Sequence, residues 1–241
     1  MVRLRKLVLA AFLAASLSAV NVYASSAVPA QEPETQEAQS EQQGQVKLFK
    51  ATYSENNSEA SIPQIDGMKD TALQDTINNT LKISIIPPNT SLKGDFEVTF
   101  YSPKLLGIHF QGVTSSSEGS QPSNIDKTVH IDLTTGKLYK LEDLFKPVDF
   151  ERTIKKICLT NDSKLRITNT SPSIQWTYED FSETWNKETG SFVLLSDSII
   201  VYSVQPEGLR GYKIPYAELK SVINRNGALW KILQEGTVNI S

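Results

Sequence analysis

Between Pro103 and Lys146 the side chains switch between apolar and polar almost residue by residue, and that rhythm leaves the backbone little choice. Leu106, Ile108 and Phe110 alternate with Gly107, His109 and Gln111, and Val129, Ile131 and Leu133 alternate with His130 and Asp132. A period of two places one set of side chains on one face of an extended chain, so both runs are predicted as strands with one face in a core. Thr134-Thr135-Gly136 follows as a turn, with glycine able to take a backbone angle that other residues avoid. Leu138-Tyr139-Lys140 then carries the chain into a helix start at Leu141-Glu142-Asp143-Leu144-Phe145. The two strands are separated by a polar loop over residues 115–124, the kind of exposed segment on which binding residues concentrate. Glu118 and Gln121 in that loop are candidate binding residues.

The N-terminus reads as an export signal. Arg3, Arg5 and Lys6 form a basic start, Leu7 to Val20 an apolar stretch, and Val22-Tyr23-Ala24 the small residues that a signal peptidase reads, so cleavage is expected near Ala24. The apolar stretch is shorter than the ~20 residues of a membrane-spanning helix. No second apolar run of that length follows, and the expected location is secreted or periplasmic. Residues 25–45 are rich in Gln, Glu, Ser and Ala and cannot bury enough surface to order themselves, which predicts a disordered linker. The formal charge of −3 becomes −6 once Arg3, Arg5 and Lys6 leave with the signal. An acidic protein is a poor match for nucleic acid and a better one for a cationic partner. Cys158 is the single cysteine, so no intramolecular disulfide can form; with Phe150, Ile154 and Ile157 at helical spacing it is expected to be buried.

Folded structure is expected from Val46 onward. A strand is predicted over VKLFKATYS, then a helix through Met68, Ala72, Leu73, Ile77 and Leu81 with Asp66 or Asp70 as its cap. A second strand runs from Gly94 to Tyr101, with Phe96, Val98 and Phe100 on one face. Beyond the central strands an amphipathic helix is predicted over residues 147–159, a hairpin over 192–204, a strand over 212–216, a short helix over 217–224 and a last helical turn at Trp230, Ile232 and Leu233. Strands grouped in antiparallel style with helices between the groups predict an α+β fold, antiparallel sheet or sheets with helices packed on one side. The expected division is an N-terminal α/β subdomain over residues 46–100 and a C-terminal α+β domain over 101–241.

The chain carries no Gly-x-Ser-x-Gly elbow, phosphate-binding glycine loop, paired cysteines or His-Glu-x-x-His arrangement, and its imidazoles are His109 and His130. A hairpin centred between Gly119 and Ser120 would set those two histidines opposite one another on the non-core face, with Asp132 one step along. That is a zinc-type donor set, but a ten-residue loop does not fix the register, and neither a metal nor a cofactor is assigned. Trp176, Tyr178 and Trp185 lie among Asn, Ser, Thr and Glu residues. Such aromatics either fill a core or present stacking surfaces to a sugar ring or a protein partner, and their spacing leaves both open. They join Glu118 and Gln121 as candidate binding residues.

The runs LLGIHFQG, TVHIDLTTGKLYKLEDLF and FVLLSDSIIVYSV…GYKIPYAELKSVI resemble the extracytoplasmic domain of RsiV-type anti-sigma factors and of some secreted peptidoglycan deacetylases. IPQIDGMKDTALQDTINNTLK resembles the smaller domain that precedes it, and together these similarities span residues 46–225. Where the family carries Gly-Gly-Ala-His-Pro, this chain has Glu118-Gly119-Ser120-Gln121-Pro122, with Gln121 at the histidine position. The deacetylase module has no counterpart here. Few residues precede the apolar N-terminal run, so no sigma-binding segment is expected. The resemblance implies a non-catalytic binding protein whose partner is a cell-wall hydrolase such as lysozyme. A cell-envelope glycan-binding module and a metal-dependent hydrolase using His109, His130 and Asp132 are the alternatives.

Overall fold

The computed structural model describes residues 46–115, 121–168, 176–188, 190–205 and 208–236. The expected signal and linker, residues 1–24 and 25–45, and Glu118 lie outside them. Five strands, β1 (Lys47–Tyr53), β2 (Glu59–Asp66), β3 (Ser91–Tyr101), β4 (Leu105–Ser115) and β5 (Ser123–Asp132), hydrogen-bond in that order into one sheet. All neighbours are antiparallel except β2 and β3, which meet in parallel at Glu59–Lys93 and Ala60–Gly94. A parallel step needs a crossover rather than a tight turn, and helix α1 (Thr71–Ile85) supplies it. Asp70 caps α1, its carboxylate accepting the Leu73 N–H at 2.9 Å. Asn78 pins the helix to β2 by accepting the Ile65 N–H at 2.8 Å and donating to the Ile65 carbonyl at 2.9 Å. Ile77, Leu81 and Ile85 then bury their stripe against Ile62, Phe96, Ile108, Phe110, Val129 and Ile131.

The expected boundary at residue 100 falls inside this sheet. β3 pairs with β4 from Ser91–Ser115 to Tyr101–Leu106, so residues on both sides of that division share one hydrogen-bonded layer, and the described residues fall in one compact unit. A second antiparallel sheet is built from β6 (Arg166–Thr168), β7 (Ser191–Leu194), β8 (Ser198–Gln205) and β9 (Gly208–Pro215), ordered β6-β9-β8-β7. Helices α2 (Phe150–Thr160), α3 (Asp162–Leu165), α4 (Tyr178–Thr184) and α5 (Ala228–Gly236), with short 3-10 helices at Glu55–Asn57 and at Leu141–Leu144, where a helix start is expected, complete the described elements, and the fold is α+β. Ile154, Cys158, Phe181, Leu229 and Leu233 from these helices pack with Val201, Tyr212 and Ile214 of the second sheet in a separate core. Burial raises the pKa of the Cys158 thiol, as befits an inert packing residue.

Two expectations about covering change. Helix α1 lies on one face of the first sheet, but the other face does not meet solvent throughout, because β7 lies across β3, β4 and β5. Where a helix over 217–224 is expected, residues 216–222 form successive turns and Ile223 a β-bridge. Their backbone is drawn into pairing with the segment before α2: the Lys146 N–H donates to the Val222 carbonyl, the Asn224 N–H to the Leu144 carbonyl, and Phe145 bridges Ile223.

Gly94 and Gly112 face one another across β3 and β4. A Cβ on Gly94 would run into the Gln111 carbonyl and the Phe110 ring, and one on Gly112 into the Lys93 carbonyl. Gly94→Ala is therefore expected to lower unfolding stability by about 1–3 kcal/mol in urea titrations, the usual cost of overpacking. Wild-type stability in that variant would rule out so close an approach.

Candidate functional site: a charged seam between the two sheets

Because side chains alternate along β4, the residues that do not face α1 turn toward the second sheet, and His109 is the central one. It is 8% exposed and has both ring nitrogens engaged. Nδ1 lies 3.0 Å from Glu97 Oε1 on β3, and Nε2 lies 3.0 Å from Asp126 Oδ2 on β5 and 3.1 Å from the Tyr202 hydroxyl on β8. Tyr202 donates to Asp126 Oδ1 at 2.5 Å, and Gln111 donates to Asp126 Oδ2 at 3.1 Å. Burial by itself would depress the His109 pKa; the hydrogen bonds and charges of Asp126 and Glu97 outweigh it and raise the value to about 9. Burial works against the Asp126 carboxylate too, yet the bond from His109 holds its pKa below the ordinary range. Tyr202 is pushed up by burial and by Asp126, so it serves as a neutral donor. The result is a buried imidazolium between two carboxylates, one of which, Glu97, has its side chain 63% exposed.

The second histidine behaves oppositely. Gly107, not His109, stands opposite His130, because the β4–β5 register is displaced by two residues from the hairpin expected in the sequence. His130 is 1% exposed, stacks on Phe192 at 4.4 Å, and accepts the Leu194 N–H of β7 on Nε2 at 3.2 Å. Its Nδ1 has no partner among the described residues. Burial first and the charge of His109 second depress its pKa to about 3, so it stays neutral.

Asp132 is committed to its own turn. Its Oδ1 accepts the Thr134 N–H at 2.7 Å, the Thr134 hydroxyl at 2.6 Å and the Thr135 N–H at 3.1 Å, and its Oδ2 accepts the Tyr139 hydroxyl at 2.8 Å. Gly136 takes the left-handed angle, φ +73°, that closes this turn. The Asp-Leu-Thr-Thr-Gly pattern is thus a turn-building device. His109, His130 and Asp132 do not converge on a shared point, and among the described residues no group of three or more His, Cys, Asp or Glu side chains is placed to hold a metal ion.

The aromatic candidates also lie elsewhere. Trp176 is 1% exposed, under the Arg166 guanidinium and edge-on to Tyr212, and Trp185 is 0% exposed and stacked on Phe181. Both are core residues, so the stacking surfaces considered for them are not available. Tyr178 is half-buried and borders a groove with Asp149, Arg152 and Lys156, away from the seam. Gln121 is exposed at the entry to β5. The seam instead opens onto a recess of about 330 Å³ lined by Asn124, Asp126, Thr184, Ser191, Ser203, Val204 and Gln205.

Glu97, Asp126 and Tyr202 were not singled out in the sequence. Alternation alone put Glu97 opposite the apolar face of β3, but its pairing with His109 depends on register, and Tyr202 comes from 93 residues away. Chemically, an imidazole with a carboxylate on each nitrogen is an ion-pair centre: neither nitrogen is free to take a proton from a substrate. The pH dependence of folding follows in sign. His109 has a raised pKa, so its contribution is complete below the unfolded value of about 6.5 and is lost as pH rises through about 9. His130 has a depressed pKa, so its contribution is complete above about 6.5 and fades as pH falls toward about 3. Stability from denaturant titrations is expected to peak near neutrality. His109→Gln should flatten the alkaline limb, and His130→Gln the part of the acid limb above the carboxylate range. A limb unaltered by its own substitution would refute that assignment.

No family model matches the chain, and no curated protein matches its sequence. Among solved structures it is similar to a DUF3298-family protein from Pseudomonas aeruginosa PAO1, at 15% identity and a TM-score of 0.44, over 76% of this chain and 95% of that one. It is also similar to a DUF3298-family member from Bacteroides fragilis NCTC 9343, at 14% identity and a TM-score of 0.54, over 80% of this chain and 99% of that one. With nearly all of the Bacteroides protein covered, the two-sheet body has the fold of a DUF3298-family structure.

Proposed function

We propose that the protein works by binding rather than by turnover, as an exported cell-envelope protein whose partner is a basic cell-wall hydrolase of the lysozyme class. The observation that carries this reading is the double engagement of His109, the imidazole nearest to an opening in the surface, by Glu97 and Asp126. His130 supports it as well, being enclosed between Phe192 and the Leu194 amide. The sequence resemblance to the RsiV-type domain supports the partner class. Charge supports it too: the chain is acidic, and the seam itself carries two carboxylates for one imidazolium, which favours encounter with a cationic surface. Among the described residues no helix is long and apolar enough to cross a membrane.

Purified protein immobilised for biolayer interferometry is expected to bind lysozyme, with affinity falling as salt approaches ~1 M, where charges are screened beyond about 3 Å. Purified peptidoglycan incubated with the same protein should release no new reducing ends. Absence of lysozyme binding at low salt would overturn the partner, and release of reducing ends would overturn the non-catalytic reading.

A further inference from the structure

The recess at the seam draws on both layers of the protein. Asn124 and Asp126 come from β5 of the first sheet, Ser191 from β7 and Ser203, Val204 and Gln205 from β8 of the second, and Thr184 from the end of α4. Its polar groups are held in place from behind. Asp126, with its side chain 8% exposed, is fixed by His109, Gln111 and Tyr202. Thr184 gives its proton to the Asp180 carbonyl at 2.8 Å, so in its 2.9 Å bond with Ser203 the serine is the donor and the Ser203 oxygen is left to accept. A carboxylate has about four acceptor sites. Two donors reach Asp126 Oδ2 and one reaches Oδ1, leaving acceptor capacity on Oδ1 of a residue that lines the recess. The Asn124 and Gln205 amides add both donors and acceptors.

This lining selects by chemistry. An anion would meet Asp126, with Glu97 beyond His109. A divalent cation would find a single carboxylate already sharing its charge with an imidazolium. An ammonium group could use the acceptors but none of the amide donors, and an apolar group would touch only Val204 favourably. A neutral molecule with several hydroxyls uses donors and acceptors together, and groups positioned in advance bind it at a lower entropic cost. The volume of about 330 Å³ lies at the small end of the ~300–1,000 Å³ typical of ligand sites.

We propose that this recess is a binding site for a neutral, hydroxyl-rich ligand of sugar-ring size, contacted by Asn124, Asp126, Ser191, Ser203 and Gln205. The inference rests on the reading of the chain as a protein that binds without turnover, and adds a small-molecule site to it.

Titrating isotope-labelled protein with maltotriose, cellotriose and chitotriose in heteronuclear NMR tests it. At least one sugar is expected to give saturable shifts at the amides of Asn124, Thr184, Ser191 and Gln205. Asn124→Ala and Gln205→Ala are each expected to weaken that binding by about tenfold with the melting temperature unchanged, as loss of a ligand hydrogen bond does. No saturable shift at roughly millimolar sugar, or shifts confined to the groove by Asp149, Arg152 and Tyr178, would overturn the site. Lysozyme added to a separate, sugar-free sample separates the readings: lysozyme binding without sugar binding sinks this inference alone. Release of new reducing ends from the sugars by the protein alone, without lysozyme, would sink the non-catalytic reading beneath it.

Discussion

A buried imidazolium held between carboxylates from two neighbouring strands is the interaction on which the joining of the two sheets depends. His109 sits mid-way along β4, where a charged ring away from water is tolerated only with both nitrogens paired. Glu97 and Asp126 meet that need from the adjacent strands, and Tyr202 of the second sheet closes the set. Removing any member would strand a charge or a donor in a place that water reaches poorly, so β3, β4, β5 and β8 are held in one register. Such a centre defines geometry more than it adds net stability, since the desolvation of the charges offsets much of their attraction.

Everything near the seam reads as a consequence of covering a polar sheet face with a second sheet. On the α1 side the first sheet presents Phe96, Ile108, Phe110, Val129 and Ile131, an apolar surface that a helix stripe can cover. On the other side it presents Glu97, His109, Asp126 and His130, which can be covered only by a partner that brings hydrogen bonds. β7 and β8 do so with the Leu194 amide and the Tyr202 hydroxyl. Where that cover stops, at the end of β8 and of α4, the same polar chemistry becomes a recess rather than a core.

Much of this was legible in the residues. Strict alternation located β4 and β5, the helical stripe located α1 while leaving its cap open between Asp66 and Asp70, and the spacing of Phe150, Ile154 and Cys158 located α2 and its buried thiol. The α+β class came from how the strands group. The site was legible only in part: His109 and His130 were conspicuous as the chain's two imidazoles, but their expected meeting on an open face required a register that the loop over residues 115–124 does not impose. A shift of two residues keeps both rings on the same face and changes their neighbours completely. The aromatics from Trp176 to Trp185 could be core or surface on spacing alone, and packing around Tyr212 and Arg166 resolved Trp176, Phe181 and Trp185 as core and left Tyr178 half-buried beside a groove.

By itself the sequence determined the strongly periodic segments, β1, β3, β4 and β5 as strands and α1 and α2 as helices, because periodicity is a local property carried by each stretch of chain. It also determined the Asp132 turn, whose donors all lie within seven residues. Tertiary structure alone decided that residues 46–100 share a sheet with residues 105–132, that the polar face of that sheet is buried, and that His109 is charged while His130 is neutral. The physical reason is the same in each case: burial and ion pairing depend on groups brought together from distant parts of the chain, such as Tyr202 and Leu194, and no local pattern encodes which of them will meet.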